Sequence, residues 1–338
     1  MMSILSRKIG IDLGTSTVLV YVKGEGIVVN EPSVVAVNRD GRRILAVGRP
    51  AFEMVGRAPE TIQVVRPMGE GVIADFVLTE GMLRHLIGKV QGRQRLFKPE
   101  IMICVPSGVT SVERRALTEA AISAGARQAW LIDEPLAAAI GDGLPIAEPR
   151  GNAVCDIGGG TTEIAVISLS GMVVAHSIRV GGNRIDDAIA AYVKRKHNLV
   201  IGEGSAEEVK IAVGSAVSME EPLSTEVCGR DLVTGLPRSV EVSSNDIADA
   251  IQEPLSLIVG AVRDVLDETP PELAADIFER GIVLSGGGAQ LRGLDRYISM
   301  HTDIPTVIAN EPQTSVVRGT GLALENFEVL KPTQSYLR

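Results

Sequence analysis

The sequence predicts an α/β protein of two lobes closed around a central cleft. Two stretches share one order of residues. The first is Ile9-Gly10-Ile11-Asp12-Leu13-Gly14-Thr15-Ser16-Thr17-Val18-Leu19-Val20-Tyr21. The second is Val154-Cys155-Asp156-Ile157-Gly158-Gly159-Gly160-Thr161-Thr162-Glu163-Ile164-Ala165-Val166-Ile167. Each reads as apolar strand, aspartate, tight turn of glycine and hydroxyl residues, apolar strand. Strands and helices then alternate in both halves, as α/β layers require. The 338 residues also exceed the roughly 250–300 at which a single core stops growing.

Apolar residues make up 45% of the chain, too many for disorder. The net charge of −9 argues against general nucleic-acid binding, which needs a basic face. Cys104, Cys155 and Cys228 are scattered, without CxxC or Cys/His metal spacing, which suits a reducing cytoplasm. No apolar run approaches the ~18 residues of a membrane span. The residues before the first strand are too few for a signal peptide.

In chain order, 8–23 is the first hairpin, followed by strands at 27–29 and 33–37. Recurrent Gly and Pro up to about Gly71 indicate a small turn-rich insertion. Helical spacing covers 79–90, with Thr79 as N-cap. A buried-type strand at 101–105 ends at Pro106, and Thr110-Ser111-Val112-Glu113 fits a capping box for a helix that Gly125 closes. After a strand at 129–132, Pro135 suits a first helical position, which makes Glu134 the N-cap. The second half has its hairpin at 153–168, a third strand at 171–180 and helices at 185–196 and 205–215. Residues 221–242 are polar and strand-like. One long helix is expected over 246–266, with Pro254 as a possible kink. Strand 281–285 leads into Gly286-Gly287-Gly288, and a helix follows at 294–301.

One glycine hairpin would be explained by its turn alone. Two hairpins with matched Asp12 and Asp156 point to two halves clamping one phosphate chain, because glycine runs expose backbone N–H groups and a carboxylate can hold a hydrated divalent cation. A dinucleotide-binding turn is disfavoured, since that motif runs into a helix whereas 161–167 alternates as a strand. Gly286, Gly287 and Gly288 can pack backbone against an adenosine, or simply make a turn. Glu134 is a cap or a carboxylate that orients water for attack on a phosphate. Glu207 and Lys210, at i and i+3, form a solvated ion pair or bind a ribose or base edge. Leu96 and Phe97, in a loop with Arg93, Arg95 and Lys98, tuck into the core or insert into an anionic membrane. Met1, Met2, Ile4 and Leu5 could add a second small anchor. His85, His176, His197 and His301 are isolated and read as structural or surface residues.

Asp12-Leu13-Gly14-Thr15, Asp133-Glu134-Pro135, the run from Asp156 to Glu163 and Ser285-Gly286-Gly287-Gly288 together resemble the actin-like ATPase superfamily. Glu31-Pro32-Ser33-Val34-Val35-Ala36, Gly71-Val72-Ile73-Ala74-Asp75-Phe76, Val105-Pro106-Ser107-Gly108, Ala138-Ala139-Ile140-Gly141 and His197-Asn198-Leu199-Val200-Ile201-Gly202 resemble more closely the MreB family of bacterial actin homologues. The resemblance runs from about Ile9 to Glu325. It implies an actin-like, ribonuclease H-like duplicated fold with ATP and Mg²⁺ in the cleft. Its four subdomains would be 1–32 with 76–148 and 312–338, then 33–75, then 149–180 with 244–311, and 181–243.

The resemblance implies a phosphate loop at Gly14, Thr15, Ser16 and Thr17, and a second at Gly158, Gly159, Gly160, Thr161 and Thr162. Glu207 and Lys210 would approach the ribose or adenine. Gly286, Gly287, Gly288 and Ala289 would approach the adenosine and α-phosphate. Glu134 and Thr161 would position the hydrolytic water, and Asp12 and Asp156 would serve the metal, through water. The loop of Leu96 and Phe97 matches the place where these proteins can enter a membrane.

The chain departs from the family where Thr15-Ser16-Thr17-Val18 replaces the usual Thr-Ala-Asn-Thr, so that a Thr17 hydroxyl stands for an amide. It also departs at Gly69, and at Glu311-Pro312-Gln313-Thr314, where the family usually has Asp-Pro-Leu. The implied function is a cytoplasmic, membrane-peripheral filament that hydrolyses ATP slowly and directs cell-wall synthesis during elongation, thereby setting cell shape. Its expected partners are further copies of itself in paired filaments, the inner face of the cell membrane and the wall-elongation machinery. A small-molecule kinase and a chaperone-type nucleotide domain are the rivals on the same fold.

Overall fold

The computed structural model describes residues 6–40, 43–91 and 97–326. Two five-stranded sheets form its frame, and they are the same sheet built twice. In lobe I, β1 (Lys8–Leu13), β2 (Thr17–Val22) and β3 (Gly26–Pro32) form an antiparallel meander. A small inserted sheet follows, built from β4 (Val35–Asn38), β5 (Ile44–Val47), helix α1 (Arg49–Phe52) and β6 (Ile62–Val65). The two-residue strands β7 (Met68–Gly69) and β8 (Val72–Ile73) close it. The chain returns through α2 (Phe76–Gln91), β9 (Glu100–Val105), α3 (Ser111–Ala124), β10 (Gln128–Asp133) and α4 (Glu134–Gly141). Strands β9 and β10 extend the sheet in parallel from β1, giving the order β10-β9-β1-β2-β3.

Lobe II begins with the meander β11 (Asn152–Ile157), β12 (Thr162–Ser168) and β13 (Gly171–Ile178). Next come α5 (Gly182–His197), β14 (Leu199–Val200), α6 (Glu203–Val213) and the hairpin β15 (Ser224–Asp231) and β16 (Pro237–Ser243). Helices α7 (Ser244–Ala250), α8 (Gln252–Glu268) and α9 (Pro271–Arg280) lead to β17 (Ile282–Ser285). A 3₁₀ turn at Gly287–Gln290, α10 (Leu294–Thr302) and β18 (Thr306–Ile308) complete it, and α11 (Ser315–Glu325) returns to pack on α4, β1 and β9 of lobe I. The order β13-β12-β11-β17-β18 mirrors lobe I, with β17 and β18 parallel to β11. Each meander shifts register once at its second strand pair, at Val20/Tyr21 and at Val166/Ile167.

Each lobe has its own core. One gathers Ile9, Ile11, Ile101 and Ile103 under Leu83 and Leu86 of α2. The other gathers Cys155, Ile157 and Ile164 with Ile185, Leu255 and Ile258. A third cluster joins them below the cleft, where Met102 and Cys104 of lobe I meet Val154, Ala165 and Ile167 of lobe II through α4 and α11. These two helices touch backbone to backbone. A Cβ at Gly319 would lie 1.7 Å from Ala137 O, and one at Gly141 would lie 1.9 Å from Ser315 O. Small residues at this crossing let α11 close tightly on lobe I.

Several local expectations are corrected. Helix α2 starts at Phe76, and Asp75 does the capping by accepting from Leu78 N at 3.0 Å. Thr79 lies inside the helix and bonds Asp75 O at 2.7 Å. The N-cap of α4 is Asp133 rather than Glu134, because Asp133 has the extended backbone (ψ 136) that a cap needs. The expected helix over 246–266 is two helices. Ile251, at φ −98 and ψ 8, breaks them, and Pro254 falls in the first turn of α8, where its missing N–H costs nothing. The glycine run after β17 enters a 3₁₀ turn before any α-helix. The capping box at Thr110 and Glu113 forms as expected, as does the Gly125 C-cap.

Candidate functional site

Both hairpin turns open on the same cavity of about 570 Å³, which falls in the size range of small-ligand pockets. The match between lobes extends to single atoms. Asp12 and Asp156 each occupy the penultimate position of their strand, β1 and β11. Each accepts from the neighbouring parallel strand. Cys104 Sγ donates to Asp12 Oδ1 at 3.3 Å, and Ser285 Oγ donates to Asp156 Oδ1 at 2.7 Å.

Gly159 and Gly160 are needed for a reason that only the fold reveals. Their φ values are not positive. The opposite loop approaches so closely that a Cβ at Gly159 would lie 2.1 Å from Ser16 Oγ, and one at Gly160 would lie 2.7 Å from Thr15 Oγ1. The turn closes with Gly158 N donating to Thr161 O at 2.9 Å. Gly71, at φ 78, seals one end. Its N–H donates to Thr15 Oγ1 at 3.1 Å, and a Cβ there would strike Pro106 at 2.6 Å.

The cavity brings together Asp12, Gly14, Thr15, Ser16, Thr17, Glu134, Asp156, Gly158, Gly159, Gly160 and Thr161, together with Glu207, Lys210, Gly286, Gly287 and Gly288. Two expected residues do not line it. Thr162 is fully buried and its hydroxyl bonds Val180 O at 2.7 Å. Ala289 is buried in the core of lobe II. Lys210 pairs with Asp186 at 2.8 Å and bonds Gly182 O at 3.3 Å, so its partner is not Glu207. Phe97 is exposed at the surface, while Leu96 lies outside the described residues, as do 1–5. Asn183, Gly71 and Arg292 also belong to the lining; Gly71 sits in a family run to which the sequence assigns no site role, and Asn183 and Arg292 sit in no recognisable run.

The floor of the cavity is acidic. Burial pushes the Asp12 carboxyl up to about 6, partly offset by the Cys104 thiol, and pushes Asp156 up to about 7 despite Ser285. Glu134 is driven well above the usual range by burial and then by the charges of Glu163, Asp12 and Asp156. Glu163, fully buried, is raised by burial, while Ser177 Oγ (2.6 Å) and Ser107 N (3.1 Å) hold it down. No basic side chain neutralises Asp12 or Asp156 among the described residues. Nor does any group of three or more His, Cys, Asp or Glu cluster there tightly enough to cage a metal. Two carboxylates facing backbone and hydroxyl donors instead suit a small hard cation that keeps its waters and shares a phosphate chain.

A family model described as MreB/Mbl protein matches residues 6–332. The chain belongs to the MreB/Mbl family. It is 52% identical over 329 residues to the cell shape-determining protein MreB of Escherichia coli strain K12, covering 96% of this chain and 95% of that protein. It is 46% identical over 325 residues to the cell shape-determining protein Mbl of Bacillus subtilis strain 168, covering 96% and 98%. The fold is actin-like. MreB5 of Spiroplasma citri bound to ADP superposes with a TM-score of 0.91 at 38% identity, over 98% of this chain and 99% of that one. The same MreB5 bound to AMPPNP gives 0.90 at 38%, over 97% and 98%. A MamK double helical filament, 24% identical, shares the fold at a TM-score of 0.81, over 95% and 99%. Among the described residues, no helix of this MreB/Mbl chain is long and apolar enough to cross a membrane.

Proposed function

We propose that this chain is an ATP-dependent cell-shape protein that binds ATP with Mg²⁺ between its two hairpins, hydrolyses it slowly and assembles with further copies of itself into filaments. The observation that carries this reading is the pair of facing loops over an acidic floor to which no basic side chain is paired among the described residues. The MreB5 relative crystallised with ADP and with AMPPNP supports it, and so do the shape-determining relatives.

Thr15, Ser16, Thr17 and the backbone around Gly158, Gly159 and Gly160 would hold the phosphate chain, because hydroxyl and N–H donors converge there. Asp12 and Asp156 would hold the cation, whose charge lowers the cost of keeping both carboxylates ionised. Glu134 and Thr161 would orient a water in line with the terminal phosphate. Glu134 is suited to this role because Asp133 takes the helix cap and Arg114 pairs with Asp133, leaving the Glu134 carboxylate open to the cavity. Glu207 and Lys210 would face the ribose or base. The four subdomains of this proposal would be those that the resemblance implies.

Attachment to the inner face of the membrane belongs to the same proposal. Exposed Phe97 next to exposed Lys98 supports it, with Leu96 completing the apolar tip, and guidance of wall synthesis follows from the shape role. Phosphate release from ATP, with Glu134→Ala as control, tests the core of the reading. Slow release that the variant abolishes supports it, and equal release by both proteins contradicts it.

A further inference from the structure

Asn183 stands where the two lobes meet. It is the second residue of α5, and its backbone N–H donates to Gly159 O at 2.8 Å. Its side-chain Oδ1 accepts from Ser16 Oγ at 2.9 Å, a bond that crosses the cleft from lobe I to lobe II. The carboxamide is planar, with its oxygen on one edge and its NH₂ on the other. Ser16 and the Gly159 turn occupy the oxygen edge, since a Cβ at Gly159 would lie 3.5 Å from Oδ1. The NH₂ edge has no acceptor among the described residues, and Asn183 lines the cavity.

The other donors of the cavity sharpen what this edge is for. The cationic side chains of the lining are Lys210 and Arg292, and both are committed. Lys210 is held by Asp186 and Gly182 O. Arg292 Nη1 donates to Ile211 O at 3.1 Å and to Gly214 O at 3.2 Å. The side-chain donors in the loop of lobe I are the hydroxyls of Thr15, Ser16 and Thr17. An oriented amide donor beside Ser16 and Gly159 therefore fills a gap in the set that an anionic chain requires.

We propose that Asn183 is a further binding residue of this site, its Nδ2 donating to an oxygen of the bound phosphate chain while Ser16 fixes the orientation of the amide through Oδ1. The proposal rests on the reading of this cavity as a nucleotide site. Asn183 then senses the phosphates rather than the nucleoside, and it does so only while the two lobes are close enough for Ser16 to reach it.

The test compares the affinity of the full chain for Mg²⁺-ATP, ADP and adenosine across Asn183→Asp, Asn183→Ala and Ser16→Ala. Asn183→Asp keeps the acceptor for Ser16 but removes the donor and adds a negative charge. It is expected to weaken ATP and ADP about tenfold or more, the scale of a hydrogen bond to a charged group, while adenosine changes less than about twofold. Asn183→Ala, which answers the question if the aspartate variant fails to fold, should show the same selectivity. Ser16→Ala should fall between it and the wild type. Variants that bind ATP as the wild type does, or that lose adenosine as severely as ATP, overturn the proposal while leaving the nucleotide site standing. A wild-type chain that binds neither ATP nor ADP overturns both.

Discussion

The hydroxyl of Ser285 donates to Asp156 Oδ1 at 2.7 Å, and that bond is what restrains a carboxyl that burial pushes up to about 7. Ser285→Ala is expected to raise Asp156 further, so that binding the cation and its nucleotide releases more protons and weakens about tenfold near neutral pH. Cys104→Ala, at the matching position of lobe I, should have a smaller effect because a thiol is a weak donor. Titration of Mg²⁺-dependent ATP binding checks this, and an unchanged Mg²⁺ requirement in Ser285→Ala would count against it.

The same buried acids set a pH dependence whose sign follows from linkage. Asp12 and Asp156 are raised to about 6 and about 7, so the folded chain binds protons that the unfolded chain has already lost. Their contribution to stability is therefore present at low pH and falls as pH rises from about 4 to about 7, then levels off. The nucleotide-free protein should melt at a higher temperature near pH 5.5 than near pH 8. Asp156→Asn should flatten the difference, and Mg²⁺-ATP should restore stability at the higher pH. Melting curves at several pH values decide the matter, and a midpoint that climbs with pH in the free protein would reverse the sign.

Close approach of the two loops predicts a pairwise effect of side-chain size. Gly159→Ala places a methyl 2.1 Å from Ser16 Oγ, so the lobes must part or Ser16 must move. A loss of about 1–3 kcal/mol in nucleotide binding or stability is expected, as for overpacking elsewhere. Ser16→Gly should recover part of it in the double variant. Calorimetry on the four proteins measures the coupling, and strictly additive losses would show that the two loops do not press on each other.

Hydrolysis and binding should separate at the water-positioning residues. Glu134→Ala and Thr161→Ala are expected to lower single-turnover phosphate release on the order of 10²-fold with ATP affinity nearly kept. Loss of affinity on the same scale would assign both residues to binding instead.

Lys210, in the wall of the cavity, forms one unit with Asp186. Burial raises Asp186 to about 6, while Lys210 holds it down. Lys210→Met should therefore leave a costly lone carboxylate, and the double variant with Asp186→Leu should be less harmful than that single change. A double-mutant cycle of unfolding free energies gives the coupling, which should be at least about 1 kcal/mol.

The repeated architecture could be read because it rests on local pattern. Matched Asp12 and Asp156, alternating strands and the Thr110–Glu113 box each signal within a few residues. Helix α11 did not, since Gly319 and Gly321 look like breakers. They are there because a Cβ on Gly321 would strike Tyr21 at 2.1 Å and one on Gly319 would strike Ala137 O. Giving Pro135 the first helical position makes Glu134 a cap, whereas Pro135 holds the second position and Glu134 the first. Thr162 shares its loop's motif, but it opens a strand that is buried on both faces and spends its hydroxyl on Val180 O. Asn183 escaped because its role depends on Ser16, which is distant in sequence and brought close only by the fold.

Electron microscopy of the purified chain on anionic lipid, with ATP, with ADP and without nucleotide, tests the central claim most directly. Filaments on the lipid with Mg²⁺-ATP that are lost in Asp156→Asn, and that detach from the lipid when Leu96 and Phe97 are both changed to serine, are the predicted result. A chain that stays monomeric and off the lipid under all three conditions would contradict it.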